Sequence, residues 1–377
     1  MRPAVAALIL LGGGCADESP VDPDVQPVLA RAARLLVDDD RAQCPAARYR
    51  SIQAAVDAAA PGETIEVCAG IYRESVRIDK TLGIVGPRRG IDGRTRTLAS
   101  PGEATLIADR PFIIDADAVV LDGLTLRVVT DETGEGWGIL TRDTFSGTTV
   151  RNCVLDAAGV TAFFPGSSGV LRTVAKHNHF YNRLGVAASS DEPYAPARNL
   201  LITENLFTSS SVGLFSDEDV DVVVSHNRFE GGRGISLRNA LRSKVYGNTL
   251  VGVIGDAAIE IESSQTAWVS DNVLRGGAGD AVRVNAGSSL VKVQRTEIDD
   301  FLRGVVLEDA TTTQVLANRI TGIAEVGLFV DAASTGNRLA DNVVTGSGLL
   351  DCQDEGTGNK WVRNRGDTSS PPGICTP

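Results

Sequence analysis

Short runs in which apolar and polar residues alternate return at a regular interval along most of this chain. Each run opens on a small residue: Gly138, Gly185, Gly213, Gly234, Ala258, Ala281, Gly304 and Gly327 begin "GIL", "GVA", "GLF", "GISL", "AIEI", "AVRV", "GVVL" and "GLFV". From Gly234 onward the openings are 24, 23, 23 and 23 residues apart. An apolar residue at every second place predicts a strand with one buried face. A second signal keeps the same interval, an asparagine followed two residues later by an apolar residue. It marks Asn152, Asn178, Asn205, Asn227, Asn248, Asn272, Asn318 and Asn342. The gap between Asn272 and Asn318 is double, and "RTEI" fills it with Thr296 in the asparagine place.

Two independent signals with one period of roughly 21 to 28 residues predict a solenoid. Helical repeats have longer units and a different periodicity, and propeller blades need a longer one, so the expectation is all-β: a single-stranded parallel β-helix with coils about 4.8 Å apart. Its asparagines are expected to bond backbone and one another from coil to coil as an internal ladder. Upstream, "SIQAAVDAAAPG" places Ile52, Ala55, Val56 and Ala59 on one helical face, with Ser51 as N-cap and Pro61-Gly62 as the stop. That helix is expected to cap one open end, because uncovered edges invite pairing. The tail from Asp351 is expected to cap the other.

Composition narrows the setting. The 377 residues are 42% hydrophobic but only 5% aromatic, with 40 glycines, which suits closely stacked strands. A formal net charge of −12 argues against a nucleic-acid partner. Residues 1–15 carry Arg2, a short apolar run, three glycines and Cys15, an export signal too short to span a bilayer. The small residues before Cys15 resemble a lipoprotein lipobox, which implies lipidation there and a membrane anchor. Residues 16–40 read as an acidic, proline-rich tether, and 41–377 as the β-helix with its caps. Six cysteines in an exported chain predict disulfides. Cys44 with Cys68 and Cys352 with Cys375 each flank one terminal segment and are the expected pairs, leaving Cys153 free.

With the repeats in place, the chain resembles the right-handed parallel β-helix proteins of the pectate-lyase-like superfamily, of exported bacterial type. The stretch "CPAARYRSIQAAVDAAAPGETIEVCAGIYRESVRIDKTLGIVG" is similar to the N-terminal segment of that group. The resemblance covers residues 41–377 and implies the fold and its hand. It leaves activity open, because the fold hosts lyases, hydrolases, esterases, epimerases and non-enzymatic surface proteins.

Three motifs bear on chemistry. Gly70, Tyr72 and Glu74 match the G-x-Y-x-E signature of pectin methylesterases, but that family's catalytic motifs have no counterpart, so the match reads as shared architecture. Copper-delivery proteins with similar repeats are another analogy. The chain has one methionine, Met1, and three histidines, His177, His179 and His226, expected at turns beside ladder asparagines, a poor set for soft copper. "GGAGDAV" resembles a calcium nonapeptide, but Asp280 is one place early and the motif does not recur; no cofactor is expected.

The strand that follows each small residue is where the resemblance implies a polysaccharide site. Alternation puts Asp217, Arg238, Glu262, Asn285, Glu308 and Asp331 in one outward row, and Phe215, Ser236, Glu260, Arg283, Val306 and Phe329 in another. Glu262 is then expected between Arg238 and Asn285, and Glu260 between Ser236 and Arg283. One reading is a saccharide site in which Glu260 and Glu262 act as acid and base while Arg238, Arg283, Asp217, Glu308 and Trp137 bind substrate. The other is charge pairing between coils, about 0.2–1 kcal/mol each. The function expected is an exported, lipid-anchored protein that binds or processes an acidic polysaccharide or envelope glycan, by lyase, hydrolase or epimerase chemistry if it is an enzyme. Its rival is a non-catalytic envelope or adhesion scaffold.

Overall fold

Among the described residues every strand pairing is parallel, as stacked coils require. The computed structural model describes residues 35–130, 136–142, 145–165, 171–188 and 197–377. Each full coil contributes to three sheets. The first holds fourteen strands, from Leu35–Val37 to Lys360–Val362. The second follows each ladder asparagine, as in Thr249–Val253 and Val273–Gly277. The third follows each small residue, as in Arg233–Arg238, Ala257–Glu262 and Asp280–Asn285. Second and third are hydrogen-bonded into one set because Val154–Phe164, His179–Ala188 and Leu206–Asp217 run unbroken through the corner between them.

The corner between first and second sheets has one construction throughout. The residue before the ladder position is left-handed, for example His177 (φ 56°), Glu204 (φ 53°), Asp271 (φ 55°) and Asp341 (φ 57°). That conformation costs an L-residue roughly 1–2 kcal/mol. The next residue offsets the cost by satisfying the backbone it exposes. Asn205 Oδ1 accepts from Asn178 N at 2.9 Å and Nδ2 at 3.0 Å, and Asn205 Nδ2 donates to Ala175 O at 2.8 Å. The same bonds link Asn227, Asn248 and Asn272, and then Asn318, Asn342 and Asn364, the last a rung beyond the sequence reading.

Asn152 departs from that reading. The register sets Val154 beside His179, so Cys153, not Asn152, stands opposite Asn178 and donates its N–H to Asn178 Oδ1. Asn152 takes the left-handed place (φ 53°). Cys153 is free and buried, and burial pushes its thiol up to about 12.

Inward positions form one continuous core in which Phe180, Phe207 and Phe229 stack at 4.7 and 4.5 Å. The small residue opening each third-sheet strand is explained by close approach. A Cβ on Gly234 or Gly304 would lie 2.2 Å from the carbonyl oxygen of Ala258 or Gly327 on the next coil.

At the N-terminal end, Ser51 Oγ caps helix Ile52–Ala58 by accepting from Ala54 N, with Ile52, Ala55 and Val56 buried. Glu74 adds a cap from outside the helix: its carboxylate accepts from Ile52 N at 2.7 Å and Gln53 N at 3.0 Å. Tyr72 is buried with its hydroxyl donating to Cys68 O, and Gly70 lies where a Cβ would meet Asp39. The G-x-Y-x-E match therefore describes how the helix is seated on the first coils. Leu35–Val37, inside the segment read as tether, pairs with Thr64–Val67, so ordered structure begins at least nine residues before Cys44. The Cys44–Cys68 and Cys352–Cys375 bridges are both present. The signal segment and Cys15 lie outside the described residues.

Candidate functional site

Alternation in the third sheet turns the two glutamates of Ala257–Glu262 outward while Ile259 and Ile261 are fully buried. The register pairs Glu260 with Ser236 and Arg283, and Glu262 with Arg238 and Asn285, the neighbours expected. Arg238 Nε lies 3.0 Å from Glu262 Oε2, and this bond, reinforced by the Glu262 charge, holds the guanidinium above its usual range. Glu260 accepts from Ser236 Oγ and Asn285 Nδ2, each at 3.4 Å, and its Oε1 lies 4.0 Å from Arg283 Nη1. Each glutamate thus has cationic or polar donors on adjacent coils.

A buried charge cluster beside these glutamates was not legible in the outward rows. Asp280, one residue before the small Ala281, is 1% exposed. It accepts from Arg283 Nε at 2.7 Å and from Arg303 Nε and Nη2 at 2.7 and 2.9 Å. Arg303 Nη2 also donates to Glu308 Oε1 at 3.1 Å, and Glu308 Oε2 lies 3.9 Å from Arg283 Nε. Burial pulls both arginines down, but the hydrogen bonds and charges of Asp280 and Glu308 outweigh it and leave them raised. A carboxylate this buried is costly unless fully bonded, and two guanidinium groups supply the bonds. Asp280 therefore orients Arg283 and Arg303, each about one-fifth exposed. Carrying the alternation one place N-terminal of each small residue would have revealed this row, since Ala257, Asp280 and Arg303 are in register.

Two depressions meet at Asp256 beside these groups. One, of about 120 Å³, is bounded by Phe215, Arg238 and Glu260; the other, of about 340 Å³, by Asp280, Arg283, Arg303 and Glu325. Arginines over rings edge both, Arg238 at 6.0 Å from Phe215 and Arg303 at 5.5 Å from Phe329. The arrangement can offer fixed guanidinium forks to a ligand carboxylate.

The remaining predicted residues divide. Asp217 lies two coils from Glu262, in register with the intervening Arg238, and accepts from Asn239 Nδ2. Glu308 joins the arginine network. Trp137 opens the strand Trp137–Thr141 of this sheet, five coils away, roughly 24 Å, with its ring under Arg110 and packed on Leu140 and Ala187. The structure does not bring it to the glutamates.

Histidine positions bear on the copper analogy. His177 and His226 sit at left-handed corners, His177 against Glu204 at 2.9 Å. His179 instead is a buried strand residue whose ring nitrogens meet Arg96 O and Thr208 Oγ1, both at 3.1 Å. Among the described residues the one cluster with metal-ligand spacing is Asp38, Asp39 and Asp40. Those carboxylates are hard oxygen donors and accept from the backbone of Cys44, Ile71 and Ala42. The described donors do not fit a soft copper ion.

Comparison with known proteins agrees with the architecture. The family profile described as "Periplasmic copper-binding protein (NosD)" matches residues 197–369, less than half of the chain. None of the curated proteins matches in sequence. Among solved structures, a GH136 lacto-N-biosidase from Eubacterium ramulus is similar at a TM-score of 0.56 and 11% identity, covering 89% of this chain and 67% of its own. The periplasmic alginate epimerase AlgG is similar at 0.53 and 11%, covering 81% and 78%. The PL6 alginate lyase AlyGC is similar at 0.56 and 13%, covering 89% of this chain but 51% of its own length. The chain is a parallel β-helix of the fold shared by polysaccharide epimerases, lyases and a glycosidase, and its two disulfides fit an extracytoplasmic location.

Proposed function

We propose that this protein binds an acidic polysaccharide along the third-sheet face carrying Arg238, Glu260, Glu262, Arg283 and Arg303. The observation that supports it best is the pair Arg283 and Arg303, held by one buried aspartate and left partly open beside a depression of about 340 Å³. A uronate carboxylate would take the exposed N–H groups of these forks, and Asp217 and Glu308 would set the arginines' outer contacts. Processing of the bound polymer, by lyase, hydrolase or epimerase chemistry, falls in this reading to Glu260 and Glu262. The fold shared with alginate-active proteins supports the substrate class by analogy.

The same reading makes the protein exported and lipid-anchored through Cys15, with right-handed coils, the helix at Ser51 closing one end and the Cys352–Cys375 bridge the other. The scaffold reading is favoured by the donors each glutamate already has. Glu260→Gln and Glu262→Gln, assayed on sodium alginate and polygalacturonate, separate the two. Binding or turnover lost at unchanged melting supports the site; melting lowered with no ligand bound by the parent protein supports the scaffold.

A further inference from the structure

The first sheet presents a different surface. Its strands Lys244–Tyr246, Trp268–Ser270, Lys292–Gln294, Gln314–Leu316, Arg338–Ala340 and Lys360–Val362 are successive rungs in parallel register. Their outward residues are Lys244, Trp268, Lys292, Gln314, Arg338 and Lys360 in one row, beside a more covered row of Tyr246, Ser270, Gln294, Leu316, Ala340 and Val362 in which Ser270, Gln294 and Ala340 are buried. Neither row holds a carboxylate, in a chain whose net charge is −12. The aspartates at the flanking corners are already engaged: Asp221 by Arg242, Asp271 by Arg295 and Asp341 by Arg363, at 2.7–2.9 Å. Among the described residues no ion pair involves Lys244, Lys292, Arg338 or Lys360.

Trp268 is 42% exposed in the middle of the cationic part. The ammonium groups of Lys244 and Lys292, from the coils on either side, lie 6.0 and 5.4 Å from its ring centroid. Cation–π attraction restrains two otherwise mobile lysines. We propose that this row is a binding track for a linear anionic polysaccharide lying along the solenoid axis. Coils about 4.8 Å apart advance by close to one sugar residue of an extended pyranose chain, so cations at Lys244, Lys292, Arg338 and Lys360 meet carboxylates at whole-residue intervals. Single-stranded nucleic acid is the less favoured polyanion: its binding draws on open aromatic faces for bases to stack on, and both flanks of this ring are taken by ammonium groups.

The track shares no residue with the third-sheet site and stands without it. The test uses the full chain with polygalacturonate, dextran, oligo-dT and phosphatidylglycerol vesicles as probes, titrated at low and moderate salt. Polygalacturonate is expected to bind and dextran not, with affinity falling as salt rises. Lys244→Gln with Lys292→Gln is expected to weaken binding by about tenfold and to flatten the salt dependence. Arg338→Gln with Lys360→Gln should weaken it further, all at unchanged melting. Fluorescence quenching by polygalacturonate that is present in the parent protein and lost in Trp268→Phe reads the first-sheet surface alone, which separates it from the third-sheet reading. Absent polygalacturonate binding, binding indifferent to the four cations, or tighter binding to oligo-dT or vesicles would overturn the track.

Discussion

Asn248 is a quantitative test of the internal ladder. It is fully buried, and its Oδ1 accepts from Asn227 N at 2.9 Å and Asn227 Nδ2 at 3.0 Å. Its Nδ2 donates to Val224 O at 2.9 Å, Tyr246 O at 3.1 Å and Asn272 Oδ1 at 3.1 Å. In Asn248→Ala, the Asn227 amide nitrogen loses its side-chain acceptor, whereas Asn227 Nδ2 keeps Ile202 O and Asn272 Oδ1 keeps the Asn248 backbone N–H. One orphaned buried donor costs roughly 1–3 kcal/mol and the weakened partners add some tenths each, for a total of about 3 kcal/mol. For 377 residues, unfolding entropy of roughly 0.8 kcal/mol/K converts that to a fall of about 4 °C if the chain melts as one unit. Solenoids unfold by neighbouring coils, so a smaller unit would give a larger fall. Differential scanning calorimetry reads the shift, and hydrogen exchange at the Asn227 amide reads its location. A fall under 1 °C with Asn227 exchange unchanged would refute the assignment of stability to the ladder. Thr296 is the converse case. Its backbone N–H still donates to Asn318 Oδ1, but a threonine has no amide oxygen to offer Asn272. Thr296→Asn is expected to raise stability by about 1 kcal/mol.

Two further outcomes are expected. Asp219 is fully buried, and burial pushes its carboxyl up to about 7, opposed by bonds from Ser216 Oγ and Ala197 N and helped by Asp217 and Glu218. The folded state then holds this proton more tightly than the unfolded one, so stability falls as pH rises from near 4 to about 7 and levels above; a melting profile across that window should slope downward and flatten in Asp219→Asn. Removing the Cys352–Cys375 bridge, which spans 23 positions, should cost about 3 kcal/mol, read as a lower denaturant midpoint in Cys352→Ala with Cys375→Ala.

Much of the fold is legible in one dimension because a solenoid repeats its contacts at a fixed interval. Thr296 could be placed on the ladder by count alone, and Glu262 beside Arg238, because parallel register preserves the phase of alternation. Asn152 fits the motif and the spacing as well as a true rung does, because the offset is a single residue; the pairing of Val154 with His179 puts Cys153 at the rung. Asp280 and Arg303 lie outside the alternation that begins at the small residue, because the chain enters the third sheet one residue earlier. Glu74 reads as half of a sequence motif, yet its partners are backbone amides twenty-odd positions upstream, a contact no local period encodes.

The asparagine rungs tolerate unequal coil lengths. Neighbouring rungs are separated by 27 positions at Asn178–Asn205, 22 at Asn205–Asn227, 21 at Asn227–Asn248 and 24 at Asn248–Asn272, yet their hydrogen bonds stay within 2.9–3.1 Å. Length and stacking are thus uncoupled: a coil can gain or lose residues at its other corners while the next rung still docks in phase. For protein engineering, this makes the molecule a ruler with a fixed graduation, onto which a binding peptide can be spliced at a chosen height without resetting the graduations above it.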